Sequence, residues 1–309
     1  MKTLAGSWAD WEPSSEPTSV TIGVLDGVHL GHRALIDSLR PEGLSTVLTF
    51  DPHPIEVLRP GTLPRLITTI DERLALLKGA GVGLTGVLDL SEIRELDPRT
   101  FIESLLIEKL SVSSLTVGSD FRFGKDRLGD VGLLEEMGRE HGYDVDAIDL
   151  INDLGEPISS SRIRALIEDG DVERAAALMG SRYRMTNEVV HGDKRGKDMG
   201  FPTANLLPPA RKVLPGSGVY AAIAHVAGRS HMAAVNVGVR PTFGGGALVV
   251  EAFLLDYDSD LYGDRLTVEF VAKLRPELEF EGVDPLVARM HQDVEECREI
   301  LGKLGPFTA

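Results

Sequence analysis

Between residues 20 and 150, short apolar runs alternate with segments of helical periodicity, and no other feature restricts the fold as strongly. The apolar runs are VTIGVL (20–25), STVLTF (45–50), LTGVLDL (84–90), SLTVGS (114–119) and YDVDAIDL (143–150). Each is short enough for one buried strand. Strands that alternate with helices predict an α/β fold built on a Rossmann-like, doubly wound parallel sheet. Ligands of such sheets bind beyond the carboxyl ends of the strands.

The pattern changes after residue 150. Residues 158–180 predict two short helices that meet at Gly170. From Tyr183 onward, alternating β segments between Gly- and Pro-rich turns predict a small antiparallel barrel, and a helical pattern closes the chain. We therefore expect a flexible N-terminal tail over 1–18, one domain over 19–180 and a second over 181–309.

Composition restricts the partners. A net charge of −16 repels phosphate backbones and anionic membranes, so we expect neither nucleic acid nor membrane as a partner. The N-terminus lacks the basic start and apolar run of a secretory leader. The lone Cys297 cannot form an internal disulfide, which favours a cytoplasmic location. If a chain this acidic handles phosphates, we expect it to do so at small local sites, with a divalent cation.

The stretch GVLDGVHLGH (23–32) places His29 and His32 where a strand gives way to a helix. The first N–H groups of a helix are unpaired and attract phosphate oxygens, and two imidazoles beside them could donate further hydrogen bonds. Gly27 and Gly31 would let phosphates approach the backbone. Alternatively, both histidines are surface residues of an ordinary helix start, and the short motif alone leaves both interpretations open.

Three further stretches favour the first interpretation. FDPHP (50–54) ends a strand, GSDFRFGKDRLG (118–129) follows another, and ISSSRIR (158–164) opens a helix with hydroxyls and arginines. Taken alone, the serines of ISSSRIR could be an N-cap and its arginines a solvated face. Together, these stretches place anion-binding groups after three strands and at a helix start.

In this order, the four motifs resemble the adenylyltransferase module of prokaryotic bifunctional riboflavin kinase/FAD synthetases, over roughly residues 19–180. The resemblance implies that ATP and FMN react to give FAD and pyrophosphate, with Mg²⁺, and that His29 and His32 stabilise the transition state. The ATP- and phosphate-binding residues it implies are Gly23, Asp26, Gly27, His29, His32, Ser160, Ser161 and Arg164. The flavin-binding residues it implies are Asp51, His53, Asp120 and Phe123. Leu25 and Ser161 depart from the usual Phe and Thr but keep apolar bulk and a hydroxyl.

The second half contains two unusual polar placements. In GFPTANL (200–206), Thr203 and Asn205 would point to the same side of an extended chain, where a hydroxyl and an amide oxygen could meet one hard cation. The alternative is a basic surface turn before an Asn that ends a strand. Glu251 lies between Val250 and Ala252, and burying its carboxylate is costly unless it is paired or catalytic. Strand periodicity alone leaves open that it faces solvent.

Residues 182–305 resemble the riboflavin kinase module of the same family through GFPTANL, GVYAA, NVGVRPTF, VEAFLLD, DLYG and LRPE. The resemblance implies a six-stranded antiparallel barrel, Mg²⁺ and ATP at Thr203 and Asn205, and Glu251 as the general base for the ribityl 5′-hydroxyl. The ATP- and phosphate-binding residues it implies are Gly192, Lys194, Gly196, Gly200, Thr203 and Asn205. The flavin-binding residues it implies are Asn236, Arg240 and Glu251.

The expected partners are thus riboflavin, FMN, FAD and ATP, bound by a monomer or a transient homo-oligomer. Two alternatives stay open. One is a riboflavin kinase whose N-terminal half is inactive or transfers a nucleotide to another phosphate. The other is a flavin-binding regulator without catalysis, which the intact HxGH, PTAN and Glu251 disfavour because a binder needs neither metal ligands nor a base.

Overall fold

The computed structural model describes residues 1–149, 151–191, 199–240 and 247–305. The chain divides between Ser160 and Ser161 into two compact units. In the described part of the chain, no helix is both long and apolar enough to cross a membrane.

The first unit is built on a parallel sheet of six strands in the order β1-β4-β3-β2-β5-β6, which confirms the predicted doubly wound fold. Its strands are β1 (Lys2–Leu4), β2 (Thr18–Ile22), β3 (Leu44–Phe50), β4 (Leu84–Leu88), β5 (Val112–Gly118) and β6 (Asp144–Ile148). A two-stranded ribbon follows, formed by β7 (Asn152–Asp153) and β8 (Glu156–Pro157).

Helices connect these strands. They are α1 (Leu30–Asp37), α2 (Pro54–Leu58), α3 (Ile70–Gly79), α4 (Leu90–Ile93), α5 (Pro98–Phe101) and α6 (Val131–His141). A π-helix (Ile102–Lys109) continues α5, and short 3₁₀ turns lie at Trp8–Asp10 and Lys125–Arg127. Helix α3 begins with a capping box, in which Thr69 Oγ1 accepts the Glu72 N–H (3.2 Å) and Glu72 Oε2 accepts the Thr69 N–H (2.8 Å).

The strand order determines where the sheet binds ligands. From central β2 the chain moves outward through β3 and β4, then returns to place β5 and β6 on the other side of β2. The direction of winding therefore reverses between β2 and β5. Doubly wound sheets bind ligands at this switch point, beyond the carboxyl ends of the strands. The loop that follows β2 carries the two histidines.

The expectation of a flexible tail over 1–18 is wrong for much of this segment. Strand β1 pairs in parallel with β4 at the edge of the sheet. Trp11 is 4% exposed and belongs to the main core cluster, where a Cβ on Gly86 would come within 2.7 Å of its ring. The segment is held because one strand and one large aromatic ring supply pairing and apolar burial that its polar composition did not indicate.

The second unit begins with α7 (from Ser160–Asp169, which crosses the division) and α8 (Val172–Met179), and a closed antiparallel barrel follows. The barrel strands are β9 (Arg184–Val190), β10 (Ala204–Leu206), β11 (Gly218–Val226), β12 (Arg229–Arg240), β13 (Ala247–Leu254) and β14 (Arg265–Arg275). They pair in the order β10-β13-β12-β11-β14-β9. The last helix, α9 (Val283–Gly302), packs on β11, β12 and β14. The predicted helix pair, barrel and closing helix are confirmed.

Candidate functional site

The loop between β2 and α1 has a strained backbone. Leu25 and Val28 have φ values of 54° and 42°, and Gly27 between them has a φ of 86°. Left-handed conformations are uncommon for non-glycine residues, above all for β-branched ones such as Val28. They persist only where the surroundings enforce them, and such strain concentrates at functional sites.

The two histidines stack against each other at the start of α1. Their ring centroids are 3.5 Å apart and the rings are inclined by 20°. His29 is the N-cap residue of α1, and its Nδ1 accepts a hydrogen bond from the backbone N–H of His32 (3.4 Å). A neutral His29 ring therefore carries its proton on Nε2, where it can act as a hydrogen-bond donor. The structure thus brings the two predicted side chains together.

Glycines make this arrangement possible. A Cβ on Gly31 would lie 3.2 Å from both Cε1 and Nδ1 of His29, so the imidazole packs directly on the Gly31 backbone. Gly27 has a positive φ, and a Cβ there would come 3.0 Å from Ile67. Both positions thus favour glycine, one because of ring packing and the other because of its conformation.

Asp26 holds the loop in place. It is 1% exposed, and its carboxylate accepts hydrogen bonds from the backbone N–H groups of Ile67 (3.0 Å) and Thr68 (2.9 Å) and from the Thr68 hydroxyl (2.9 Å). The Ser160 hydroxyl donates to the backbone oxygen of Asp26 (2.9 Å). The contacts of Asp26 thus shape the loop, and those of Ser160 tie the start of α7 to it.

The ionisation of His32 follows from its surroundings. Its Nδ1 is buried and has no hydrogen-bond partner among the described residues. Burial, together with the charges of His29 and Arg73, holds the pKa of His32 well below its usual value. His32 is therefore neutral at pH 7, and an uncharged imidazole contributes through one N–H and its ring dipole.

Arg73 is a feature of this site that the sequence analysis missed. It is 2% exposed, and its Nη1 donates to Thr49 Oγ1 (3.1 Å) and to the backbone oxygen of Phe50 (3.0 Å) at the carboxyl end of β3. The signal was the arginine in IDERLALL, which lies one helical turn before Leu77, and both residues are buried on one face of α3. A cation on a buried helix face is rarely accidental.

The other residues predicted for this half have local contacts. His53 is the N-cap of α2, with its Nδ1 accepting the Ile55 N–H (3.2 Å). Phe123 is 7% exposed and packs with Phe101 and Phe121. The Gly23 N–H donates to the Leu48 oxygen (3.0 Å), and Arg164 donates to Ser161 Oγ (3.2 Å). Asp51, after β3, and Asp120, after β5, are exposed.

In the barrel, three polar side chains lie in a row across neighbouring strands. Asn205 of β10 pairs directly with Glu251 of β13, and Glu251 pairs on its other side with Asn236 of β12. Directly opposed residues of antiparallel strands point to the same face, with Cβ atoms about 4.5–5.5 Å apart. We call Asn205, Glu251 and Asn236 the polar row.

The burial pattern tells which face this is. All three members of the polar row are half-buried, whereas the residues on either side of each one along its strand are buried in the barrel interior. The outer face of the barrel also carries Ala221 and Ile223, which α9 covers with Cys297 and Leu301. Glu251 therefore lies on the outer face, beside two carboxamides.

The segment before the polar row is anchored by Phe201. This residue is 5% exposed, and its ring centroid lies 5.2 Å from that of Phe253 and 5.0 Å from that of His291 on α9. Thr203 and Asn205 are half-buried, and Ala204 between them is buried. This alternation fits the predicted placement of both oxygen donors on one side of the chain.

Glu277 is a further neighbour of the polar row. A Cβ on Gly238 would clash with the Glu277 carboxylate and would lie 3.4 Å from Nδ2 of Asn236. The carboxylate of Glu277 therefore lies over Gly238, beside Asn236. The sequence analysis quoted LRPE as a motif but assigned no role to Glu277.

Several predicted residues lie elsewhere. Gly200 is in a turn with a φ of 84°. Gly192, Lys194 and Gly196 lie outside the described residues, as does the side chain of Arg240. Among the described residues there is no group of three or more His, Cys, Asp or Glu side chains that could hold a metal, and Thr203 and Asn205 are donors of another kind.

Comparisons with known proteins agree with this division. Residues 12–162 match the family model for FAD synthetase, and residues 179–301 match the model for riboflavin kinase. The chain is 36% identical over 313 residues to the bifunctional riboflavin kinase/FMN adenylyltransferase of Escherichia coli K12, covering 99% of this chain and 100% of the relative. It is also 36% identical over 301 residues to the protein of that name from Pseudomonas fluorescens, covering 93% and 94%.

A solved structure has the same fold. It is described as a macrolide-efflux protein from Streptococcus pneumoniae, and it matches with a TM-score of 0.87 at 29% identity, covering 96% of this chain and 99% of that chain. The paired imidazoles fall within the FAD synthetase match and the polar row within the riboflavin kinase match. With both halves matched and relatives more than 30% identical over nearly the whole chain, this protein belongs to the bifunctional riboflavin kinase/FMN adenylyltransferase family.

Proposed function

We propose that the chain divides the two activities of its family between its two units. The parallel-sheet unit adenylylates FMN to FAD with release of pyrophosphate, and the barrel phosphorylates riboflavin to FMN, each with ATP. The observation that carries this proposal is that the paired imidazoles lie in the first unit, at the switch point of its sheet, whereas the polar row with Glu251 lies in the barrel. Helices α7 and α8 occupy the stretch between the two matched segments, and we keep the boundary of the kinase domain near residue 181.

In the first unit, the loop after β2 binds the ATP phosphates. The backbone N–H groups at the start of α1 and the Nε2–H of His29 face an anion whose charge grows as pyrophosphate leaves. The FMN phosphate attacks the α-phosphorus of ATP directly, so the reaction needs no covalent intermediate with the protein. Catalysis then consists of holding both phosphates in line and stabilising charge with donors that are already oriented.

In the barrel, Glu251 accepts the proton of the ribityl 5′-hydroxyl while this oxygen attacks the γ-phosphorus of ATP and ADP leaves. A positioned base of this kind contributes about 10²–10⁴-fold to the rate. Asn205 and Asn236 lie on either side of Glu251 and orient it and the substrate hydroxyls through their carboxamides. The position of Glu251 in the polar row supports this role.

The donors at the start of β10 suit Mg²⁺. The Thr203 hydroxyl and the Asn205 amide oxygen are hard, uncharged oxygen ligands on half-buried residues, and Mg²⁺ prefers such oxygens together with substrate phosphates. When bound, the ion would neutralise charge on the ATP phosphates. We place the protein in the cytoplasm, where ATP is available and a lone thiol stays reduced.

Replacing the base tests the assignment of the barrel. We expect Glu251→Gln to lower FMN formation from riboflavin by about 10²–10⁴-fold and to leave the conversion of supplied FMN to FAD unchanged. The measurement is chromatographic separation of the flavins after incubation with Mg-ATP. Glu188→Gln, which changes an exposed carboxylate on β9, is the matched control and is expected to retain both activities.

Replacing the imidazoles tests the first unit. His29→Ala combined with His32→Ala is expected to lower FAD formation by at least about 10²-fold and to leave FMN formation unchanged. His141→Ala, at the exposed end of α6, is the control for loss of a histidine. The assignment of one reaction to each unit is wrong if either active-site change abolishes both activities in a folded protein.

A further inference from the structure

Arg73 is an unusual buried residue. Its side chain is one of the largest buried side chains in the described part of the chain. Its hydrogen bonds go to two neutral oxygens, those of the Thr49 hydroxyl and the Phe50 backbone, and its Nε has no partner among the described residues. Burying a charge in this way is costly, and an apolar side chain would serve stability better. A role beyond packing is therefore indicated.

A chain of hydrogen bonds joins Arg73 to the strained loop. Arg73 Nη1 donates to Thr49 Oγ1 (3.1 Å), and Thr49 Oγ1 donates to the backbone oxygen of Val24 (2.8 Å). Val24 directly precedes Leu25, the first residue of the loop with a positive φ. The guanidinium thus constrains the loop backbone through the Thr49 hydroxyl.

The same segment holds the loop from the other side. Ile67 and Thr68, just before α3, donate to the Asp26 carboxylate, and the Thr68 hydroxyl also accepts the Gly27 N–H (3.1 Å). Residues 67–73 therefore fix the backbone both before and after Leu25. These two attachments constrain the loop, and a strained backbone persists only where the surrounding structure constrains it in this way.

The charge of Arg73 also acts on the imidazoles. It is one of the causes that lower the pKa of His32, after burial and the charge of His29. The charges of Asp26 and Asp51 act on Arg73 in turn, although burial dominates and lowers its pKa from the usual value. Among the charged or titratable groups, His29 and Arg73 therefore act on His32 directly, and Asp26 and Asp51 act on Arg73.

We infer that Arg73 is a positioning residue for adenylyl transfer: through Thr49 it fixes the phosphate-binding loop, and its buried charge acts on the His32 imidazole. The inference rests on the proposed function of the first unit. It explains why a cation is retained behind a loop that must bind a triphosphate. It also assigns a role to the arginine of IDER (70–73), a segment for which the two reactions by themselves indicate no function.

Kinetics provide the first test. We expect Arg73→Met to lower kcat for FAD formation about 10- to 100-fold, because a small displacement of catalytic groups has an effect of this size. Arg73→Lys keeps the charge and is expected to recover part of the loss. Lys78→Met removes an exposed cation from the same helix and is the matched control, with unchanged rates. FMN formation by the barrel is expected to stay within about twofold in every variant.

An NMR titration of His32 provides a readout that a merely structural arginine would not move. Removing a nearby positive charge favours the protonated imidazole, so the pKa of His32 is expected to rise in Arg73→Met and to stay at the wild-type value in Arg73→Lys. The His32 signal is identified by its loss in His32→Gln. An unchanged pKa in Arg73→Met contradicts the electrostatic part of the inference.

Thr49→Val tests the connection to the loop. It removes the relay hydroxyl but keeps the charge, so FAD formation is expected to fall while the pKa of His32 is unchanged. Its effect is expected to be less than additive with that of Arg73→Met, because both break one chain of hydrogen bonds. Full additivity, or a wild-type rate in Thr49→Val, overturns the inference. If Arg73→Met does not fold, Arg73→Lys and Thr49→Val decide the question. Failure of the proposed function is distinguished from failure of this inference by the wild-type protein, which would then form no FAD.

Discussion

At the scale of single residues, the geometry of the paired imidazoles depends on a residue without a side chain, Gly31. His29 packs directly on the backbone of Gly31, and a side chain there would meet the ring at 3.2 Å. A contact of this length is tighter than ordinary van der Waals separation, so the imidazole must shift by a few tenths of an ångström. Under the proposed function His29 donates a hydrogen bond to the phosphates, and a donor that shifts loses part of its effect even where the fold is unharmed.

Gly31→Ala is therefore expected to separate activity from stability. Alanine is the better helix former by about 1 kcal/mol, so the free energy of unfolding should stay level or rise, while kcat for FAD formation falls by about tenfold or more. Gly79→Ala in α3, where a Cβ meets nothing within 4 Å, is the control and should retain full activity. Wild-type kcat in Gly31→Ala would show that the ring position is unimportant. Denaturant unfolding and FAD formation are the two measurements.

Polar residues of the motifs also have structural roles that their identities do not reveal. Asp26 and His53 were both implied as ligand contacts, yet Asp26 accepts backbone N–H groups and His53 caps a helix. Both side chains can accept a hydrogen bond from a backbone N–H as readily as from a ligand. The sequence shows the residue type, and only the backbone around it shows the partner.

At the scale of elements, strand register creates the second site. Asn205, Glu251 and Asn236 are distant in sequence, and the pairing of β10, β13 and β12 places them side by side. A shift of one residue in either pairing would turn Glu251 away from its neighbours. Helix α9 packs on the outer face of β11 and β12, next to these pairings.

Helix α9 is attached to the barrel through a buried carboxylate. Asp293 is 3% exposed and accepts hydrogen bonds from Arg275 of β14 (2.7 Å from Nη2) and from Arg289 one turn earlier in α9 (2.9 Å). Removing one partner of a buried pair leaves an uncompensated charge. Near it, Cys297 is fully buried, and burial raises the pKa of its thiol to about 12.

Asp293→Ala is accordingly expected to lower the free energy of unfolding of the second unit by about 3–5 kcal/mol. Undocking of α9 should also expose Cys297 and speed its reaction with a thiol reagent. Asp256, at the end of β13, forms an exposed ion pair with Arg298 of α9. Asp256→Ala breaks this pair and is expected to change stability little. Equal effects of the two substitutions would contradict the special role of Asp293.

At the scale of the whole molecule, the chain contains two compact units, with the paired imidazoles in the first and the polar row in the second. The matched segments, 12–162 and 179–301, overlap the helix pair α7 and α8 only at its two ends. FMN is the product of one proposed reaction and the substrate of the other. The first unit should therefore be able to use FMN that the barrel has released into solution.

A mixture of single-function variants tests this independence. Glu251→Gln alone should leave riboflavin unchanged, and His29→Ala/His32→Ala alone should stop at FMN. Together they are expected to convert riboflavin to FAD, with FMN appearing first and then declining. Failure of the mixture, with both variants active in their remaining reaction, would mean that FMN must pass within one molecule. The time course of the three flavins is the measurement.

The fold class and the order of the main elements could be predicted from the sequence, because periodicity and motifs are local properties of the chain, whereas the roles of the site residues stay predictions. The paired spacing of His29 and His32 and the apolar neighbours of Glu251 were visible without any structure. The pairing of β1 with β4 and the burial of Trp11 were not visible in the sequence, because β1 pairs with a strand more than 70 residues away along the chain.

Tertiary structure decided the rest. The stacking of the two imidazoles, the left-handed backbone of Leu25 and Val28, the relay from Arg73 through Thr49, and the register of the polar row are all relations between segments far apart in sequence. Sequence determines which groups a chain can offer for hydrogen bonds and burial. Which of them meet depends on long-range packing, since the free energy of a contact exists only once both partners are in place.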